Sequence, residues 1–245
     1  MNMSLRIKRI PIIAIFAALY VVITLLPGIP IIGGKGKIEI AAFLPPIYGL
    51  VLGPVAGGMA SWLGAFLAWL LPPGTPKPWG FALTLPSISS SIVAGLASRE
   101  RVKGFYGWVL SSLVMVSLLM LWYLNPVGRM AFWYPTPHLG ALMLLLISGK
   151  LVPKCIENEK TTPLALLIAG FPGIMADHMT GNVLFIYLGS SLLGLKIEID
   201  EMAALFQAVL PISLIERGGM TILLLAFGTP LIYGLSKVGF LEQIR

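Results

Sequence analysis

The chain has 245 residues, 57% of them hydrophobic and only 11% charged, with 17 basic against 10 acidic side chains. Soluble domains carry about a quarter charged residues, so this composition excludes an ordinary soluble domain, a disordered chain and a nucleic-acid binder. The single Cys155 and the two histidines, His138 and His178, argue against a disulfide framework and a protein-only metal site.

A spanning helix takes about 20 mostly apolar residues. The first candidate is 10–26, which follows Arg6, Lys8 and Arg9. Its apolar run is long for a signal peptide and no small-x-small cleavage site follows, so it reads as a retained helix. A short apolar stretch at 39–52 is broken by Pro45 and Pro46, and Gly53-Pro54 turns the chain into a third segment at 55–71. A proline-rich loop with Pro72, Pro73, Pro76 and Pro78 leads to a fourth at 80–98; the fifth is 105–124 and the sixth 139–152. The seventh, 163–193, is too long for one straight span, and Pro172-Gly173 predicts a kink in it. The last apolar region starts near Ala203 with its main span at 218–236, and the stretch before it, interrupted by Pro211, reads as a shorter helix at the outer surface. These are about eight hydrophobic segments with short connections. They predict an all-α integral membrane protein, a polytopic helical bundle forming a single transmembrane domain over 1–245.

Lysine and arginine set the orientation. With eight crossings and the N-terminus inside, the cytoplasmic segments hold Arg6, Lys8, Arg9, Arg99, Arg101, Lys103, Lys150, Lys154, Lys160, Lys237 and Arg245, against Lys35, Lys37, Lys77, Arg129 and Lys196 outside. That bias predicts that the N- and C-termini are both cytoplasmic and that the protein lies in the cell (plasma) membrane. The basic excess is therefore an orientation signal and not a mark of an acidic partner.

Helices in lipid pack where small residues let their backbones approach. Ala60, Gly64 and Ala68 form one such stripe, Gly57, Ser61 and Ala65 a second, and Ser87, Ser91 and Gly95 a third; tight packing inside the bundle is the expected role of all three. In the first helix Ala14 and Ala18 make an Ala-xxx-Ala pair with Ala17 beside it, a face suited to internal packing or to docking a partner helix.

The run Ile13-Ala14-Ile15-Phe16-Ala17-Ala18-Leu19 resembles the first helix of the substrate-binding S components of energy-coupling factor (ECF) transporters. The run from Ala42 through Leu52-Gly53-Pro54, followed by a Gly/Ala-rich helix, resembles that family's second and third helices, and Ile215-Glu216-Arg217 with Gly228-Thr229-Pro230-Leu231-Ile232 resembles its last. The resemblance implies a six-helix core at 10–98 and 163–236 with an inserted hairpin at 105–152. It implies a non-enzymatic subunit that binds a vitamin-like small molecule from outside. Its partners would be a T component, docked through Ala14, Ala17 and Ala18, and two cytoplasmic ATPase subunits, which alone would use ATP; this chain would carry no cofactor. The Gly-rich loop with Lys35 and Lys37 would act as a gate over the ligand, although solvated loop charges are the plainer reading of both lysines.

Ionisable residues inside a span cost about 2.5–3.5 kcal/mol at its centre and are functional candidates by default. At 100° per residue Asp177, His178, Gly181, Asn182 and Phe185 fall within about 140° of one helix face. Such a face suits the wall of a ligand cavity, with Asp177, His178 and Asn182 hydrogen-bonding and Phe185 stacking; a buried Asp–His pair that locks two helices is the plainer alternative. Glu216 and Arg217 are adjacent and so point about 100° apart, which predicts that Arg217 meets a carboxylate or carbonyls on another helix, or a ligand. Trp69, Trp79, Trp133 and Tyr134 read mainly as interfacial anchors, although Trp69 and Trp79 flank the proline-rich loop where they would cap a pocket. The candidate substrate residues are thus Asp177, His178, Asn182, Phe185, Arg217, Trp79 and Lys35, with no metal. Two other readings compete: a stand-alone secondary transporter, for which no internal repeat is evident, and an intramembrane enzyme using Asp177 and His178 as an acid–base pair, for which no H-E-x-x-H, G-x-S-x-G or Asp-rich diphosphate motif is present.

Overall fold

Proline marks where most of the helices begin. The structure, a computed structural model, describes residues 3–30, 37–38, 40–72, 74, 76–194 and 197–241. Its α-helices are α1 (Met3–Thr24), α2 (Leu44–Leu52), α3 (Pro54–Leu70), α4 (Pro78–Ala82), α5 (Pro86–Ala97), α6 (Gly107–Leu124), α7 (Pro126–Met130), α8 (Thr136–Ser148), α9 (Val152–Cys155), α10 (Thr162–Ala165), α11 (Phe171–Leu193) and α12 (Ile199–Lys237). All of α2, α3, α4, α5, α7, α8, α9, α10 and α11 carry Pro in the first two helical positions. Proline is pre-shaped for a first turn and brings no N–H, and an unpaired N–H in lipid costs several kcal/mol. Two short antiparallel ladders, Ile29–Pro30 with Lys37–Ile38 and Arg101–Val102 with Phe105–Tyr106, staple connections outside the bundle.

Five helical stretches are long and apolar enough to cross a bilayer, namely Pro78–Ala97, Gly107–Leu124, Thr136–Cys155, Thr162–Leu193 and Ile199–Lys237; three shorter apolar helices, Ile10–Thr24, Ile40–Leu52 and Pro54–Leu70, complete the set. The protein is an all-α polytopic membrane protein. Two expectations change. The seventh segment turns through a π-helical stretch, Leu166–Gly170, so that Pro172 falls in the first turn of α11; the wider π turn takes up the clash and the missing hydrogen bond that Pro172 would impose on a regular helix. The last segment is one continuous helix of 39 residues with Pro211 and Pro230 inside it, and no separate surface helix precedes it. At 1.5 Å per residue α12 is about 58 Å long, nearly twice the hydrocarbon core. Pro211 leaves the Gln207 carbonyl without its helical donor; both residues are exposed, and the Gln207 side chain ties this turn to the 126–135 connection through a 3.1 Å hydrogen bond from Nε2 to the Met130 carbonyl.

Small residues hold the core. A Cβ on Gly57 would sit 2.6 Å from the Tyr48 carbonyl oxygen, one on Gly95 2.6 Å from the Pro54 nitrogen, and one on Gly49 would overlap the Ser91 carbonyl. At these points α2, α3 and α5 touch backbone to backbone. Gly53, with φ 86°, makes the corner between α2 and α3, a left-handed conformation that only glycine adopts without strain. Ser61 and Ser91 share a 2.6 Å hydrogen bond and Ser91 Oγ donates to the Pro45 carbonyl at 2.6 Å, so the same serines that allow close approach also satisfy one another across three helices. The 105–152 segment lies against this core: Ser111 Oγ on α6 donates to the Val93 carbonyl of α5 at 2.8 Å, and α6 and α8 both pack on α11.

Gly49→Ala is therefore expected to lower the melting temperature of the detergent-purified protein, at an overpacking cost of about 1–3 kcal/mol. Gly234→Ala, where nothing lies within 4 Å of the added Cβ, is expected to leave it unchanged in the same thermal-unfolding assay.

Candidate functional site

A second apolar cluster, apart from the main core, gathers the end of α6, the 126–135 connection, α11 and the first half of α12: Leu119, Trp122, Val127, Ala131, Tyr134, Met179, Met202, Ala203 and Phe206. Its centre is aromatic. Trp122 and Tyr134 stack at 5.1 Å, and Phe206 meets each of them at 4.9 Å. Phe185 continues the series toward α4, lying 6.1 Å from Phe206 and 5.9 Å from Trp79.

A polar ladder is built into this box. On α11, His178 and Asn182 are one turn apart and share a face. On α12, Ser213 and Arg217 do the same. Between them stands Tyr134, 1% exposed, whose hydroxyl accepts from Asn182 Nδ2 at 3.1 Å and pairs with His178 Nε2 at 3.3 Å; Ser213 also reaches it. With Tyr134 donating to Nε2, the His178 proton sits on Nδ1. The prolines around Thr136 start α8 and bring His138 into its first turn, where the imidazole stacks on His178 at 5.2 Å and 19°.

Several buried polar atoms here have no hydrogen-bond partner: both nitrogens of His138, Nδ1 of His178, Nε of Arg217 and Nε1 of Trp122. Among the described residues the carboxylate that Arg217 meets is on its own helix. Its Nη2 pairs with the neighbouring Glu216 at a long 3.4 Å, because two flexible side chains bend together even though their Cα–Cβ bonds diverge. Electrostatically Arg217 acts on Tyr134, His138 and His178 alike. Among the described residues no group of three or more His, Cys, Asp or Glu is arranged to hold a metal ion.

The predicted residues thus fall into distinct places. His178, Asn182, Phe185 and Arg217 meet in one cluster, with Trp79 at its edge; Asp177 is half-buried beside His178; Lys35 lies outside the described residues. Sequence reasoning missed His138, Trp122, Phe206 and Ser213, and grouped Tyr134 with the interfacial anchors. Tyr134 is instead interior, while its neighbour Trp133 is 72% exposed. A histidine just inside an outer helix start, in a chain with two histidines, was the available signal.

On the other side of α4 lies a cavity of about 740 Å³ between the C-terminal ends of α1 and α3. Tyr20, Thr24, Trp69, Gly80 and Thr84 help to line it, as do Gly28 and Ile40. Trp69 donates to the Lys77 carbonyl at 3.2 Å. Short α4 is therefore a partition, presenting Gly80 to the cavity and Trp79 to Phe185. On α1, Ala14 and Ala18 are exposed, whereas Ala17 is 1% exposed and its carbonyl faces Gly64 of α3. The open small-residue face thus consists of Ala14 and Ala18, and Ala17 packs internally.

Residues 4–139, more than half of the chain, match the family model described as ECF-type riboflavin transporter, S component. An uncharacterized protein of Methanocaldococcus jannaschii is 32% identical over 162 residues, which cover 64% of this chain and 52% of the relative; the chain spans about half the length of that curated relative. No solved structure matches the chain.

Tyr134→Phe removes the hydroxyl that joins α11 to the 126–135 connection. Stranding the Asn182 amide and His178 Nε2 is expected to cost about 1–3 kcal/mol, read as a lowered thermal midpoint, while Tyr123→Phe, at the exposed bond to the Phe132 carbonyl, is expected to change it little.

Proposed function

Since the chain belongs to the S-component family of ECF transporters, we propose that it captures a flat, vitamin-like heterocycle from outside and delivers it with a T component and two cytoplasmic ATPase subunits in the plasma membrane. A substrate-binding transporter subunit is what the family supports, with no catalytic step in this chain. The observation that carries the reading is the polar ladder of His178, Asn182 and Arg217 set into an aromatic box in the outer half of the bundle. Ligand pockets have that make-up: apolar and aromatic walls with a few convergent polar groups. We assign Trp79 and Phe185 to flank the ring system and Asp177, His178, Asn182 and Arg217 to meet its polar edge. The cavity beyond α4 serves as the outward vestibule; its size falls in the range of about 300–1,000 Å³ that small-molecule sites occupy. Riboflavin, the substrate in the family description, is the first ligand to test.

Purified protein is expected to retain a ligand detectable by mass spectrometry and to quench riboflavin fluorescence on titration. Trp79→Ala and Phe185→Ala are each expected to weaken that binding about three- to ten-fold, from an aromatic contact worth about 0.5–1.5 kcal/mol. Unchanged affinity in both variants would remove these side chains from the site.

The exposed Ala14 and Ala18 supply the docking face for the T component, where small residues permit close helix approach. Ala14→Leu with Ala18→Leu is expected to abolish copurification with the T component and ATPases while leaving riboflavin titration unchanged; normal assembly would sink the role given to this face.

A further inference from the structure

Resting on that substrate reading, we propose that the hairpin at 105–152 sets substrate selectivity, with His138 reading a donor–acceptor edge on a neutral planar heterocycle. His138 is fully buried, yet neither ring nitrogen has a partner. The Pro135 carbonyl bears on the ring without a hydrogen bond of ordinary geometry. A neutral imidazole offers one donor and one acceptor, and leaving such groups unpaired inside a protein costs about 1–3 kcal/mol each, so the arrangement makes sense when a ligand supplies the partners. His178 Nδ1 and Arg217 Nε, also unpartnered, come from α11 and α12 on the same cluster. Three elements thus converge with unused hydrogen-bonding capacity, while Tyr134, Asn182 and the stack on His178 hold the rings in position.

The charge balance selects the ligand class. Glu216 pairs with Arg217, so among the described residues one carboxylate already offsets the guanidinium of the cluster. A neutral edge fits, one in which an N–H flanked by carbonyls gives a proton to an imidazole nitrogen and receives from Arg217 and the second imidazole. The 105–152 segment carries Tyr134 and His138, whereas α11 and α12 carry His178 and Arg217. The two long helices would bind and the 105–152 segment would discriminate.

The test compares riboflavin with riboflavin methylated at its imide nitrogen, which keeps the ring system and removes the N–H. Both are titrated into the monodisperse fraction of the full chain, and the ratio of their affinities is read within each preparation. The wild type is expected to prefer riboflavin about ten-fold or more, His138→Leu to bring the ratio close to one, and His138→Gln, which restores a donor and an acceptor, to recover the preference. If His138→Leu yields no folded fraction, His138→Phe, which keeps a ring against His178, is read the same way. Equal affinity of the wild type for both flavins, or an unchanged ratio without the imidazole, overturns the selectivity role and leaves the substrate reading intact. Binding of neither flavin overturns both.

Discussion

A bilayer offers no water to polar atoms, and the structure is organised around that fact. Each N–H, carbonyl and hydroxyl inside must be paired by the protein itself. Prolines at helix starts remove donors that would otherwise be orphaned. Serines in helix interiors are turned back onto carbonyls: Ser98 onto Gly95, Ser112 onto Trp108, Ser111 across to Val93. Against this background the exceptions are informative. Of the seven buried side-chain polar atoms without partners among the described residues, five belong to His138, His178, Arg217 and Trp122. The other two, on Tyr48 and Ser90, stand apart from the cluster, so most of the unused capacity for hydrogen bonding among the described residues is gathered in one place.

The two halves of the bundle are built on different principles. Where α2, α3 and α5 meet, glycine brings backbones into contact and a serine relay ties them, so there is little room for adjustment; such packing transmits strain and resists change. The outer cluster is made of large aromatic rings at edge and stacked angles, joined by side-chain hydrogen bonds from four separate elements. Rings can shift against one another at a cost of about 0.5–1.5 kcal/mol per contact, whereas a glycine crossing cannot open without breaking the core. Adaptability therefore resides in the outer cluster, above a rigid base.

Much of this was legible in the sequence. Gly57, Ser61 and Ala65 announce a packed face by their spacing, and they are buried as that spacing requires. His178 and Asn182 announce a polar face, and they share one. The unread parts have physical causes. Pro211 looks like a break, yet α12 runs through it; a spanning helix tolerates proline where its surroundings adjust to the freed carbonyl, which spacing does not reveal. Arg217 and Glu216 were read from their Cα–Cβ directions, although long side chains are not bound by them. Tyr134 and His138 were hidden because they lie 40 or more residues before their partners on α11. Their meeting depends on how the 105–152 hairpin folds back onto the bundle, a tertiary fact carried by α6–α11 and α8–α11 packing and by no local pattern.

Helix α1 connects the two faces on which a transport role rests. Tyr20 lines the outer cavity and is nearly buried, with its Cβ against Gly64 of α3. Ala17, one turn earlier, rests on that same glycine, and Phe16 meets Tyr48 edge-on at 4.9 Å. Ala14 and Ala18 are exposed on α1. Because Gly64 leaves no slack between α1 and α3, a partner helix seated on Ala14 and Ala18 cannot push α1 inward at its middle; it can only tilt or slide it. Either motion moves Tyr20 and Thr24, and with them one wall of the cavity. With the docking face and vestibule as proposed, the link between partner and ligand would be a matter of packing, a rigid helix with Ala14 and Ala18 on one side and the cavity wall near its C-terminal end on the other.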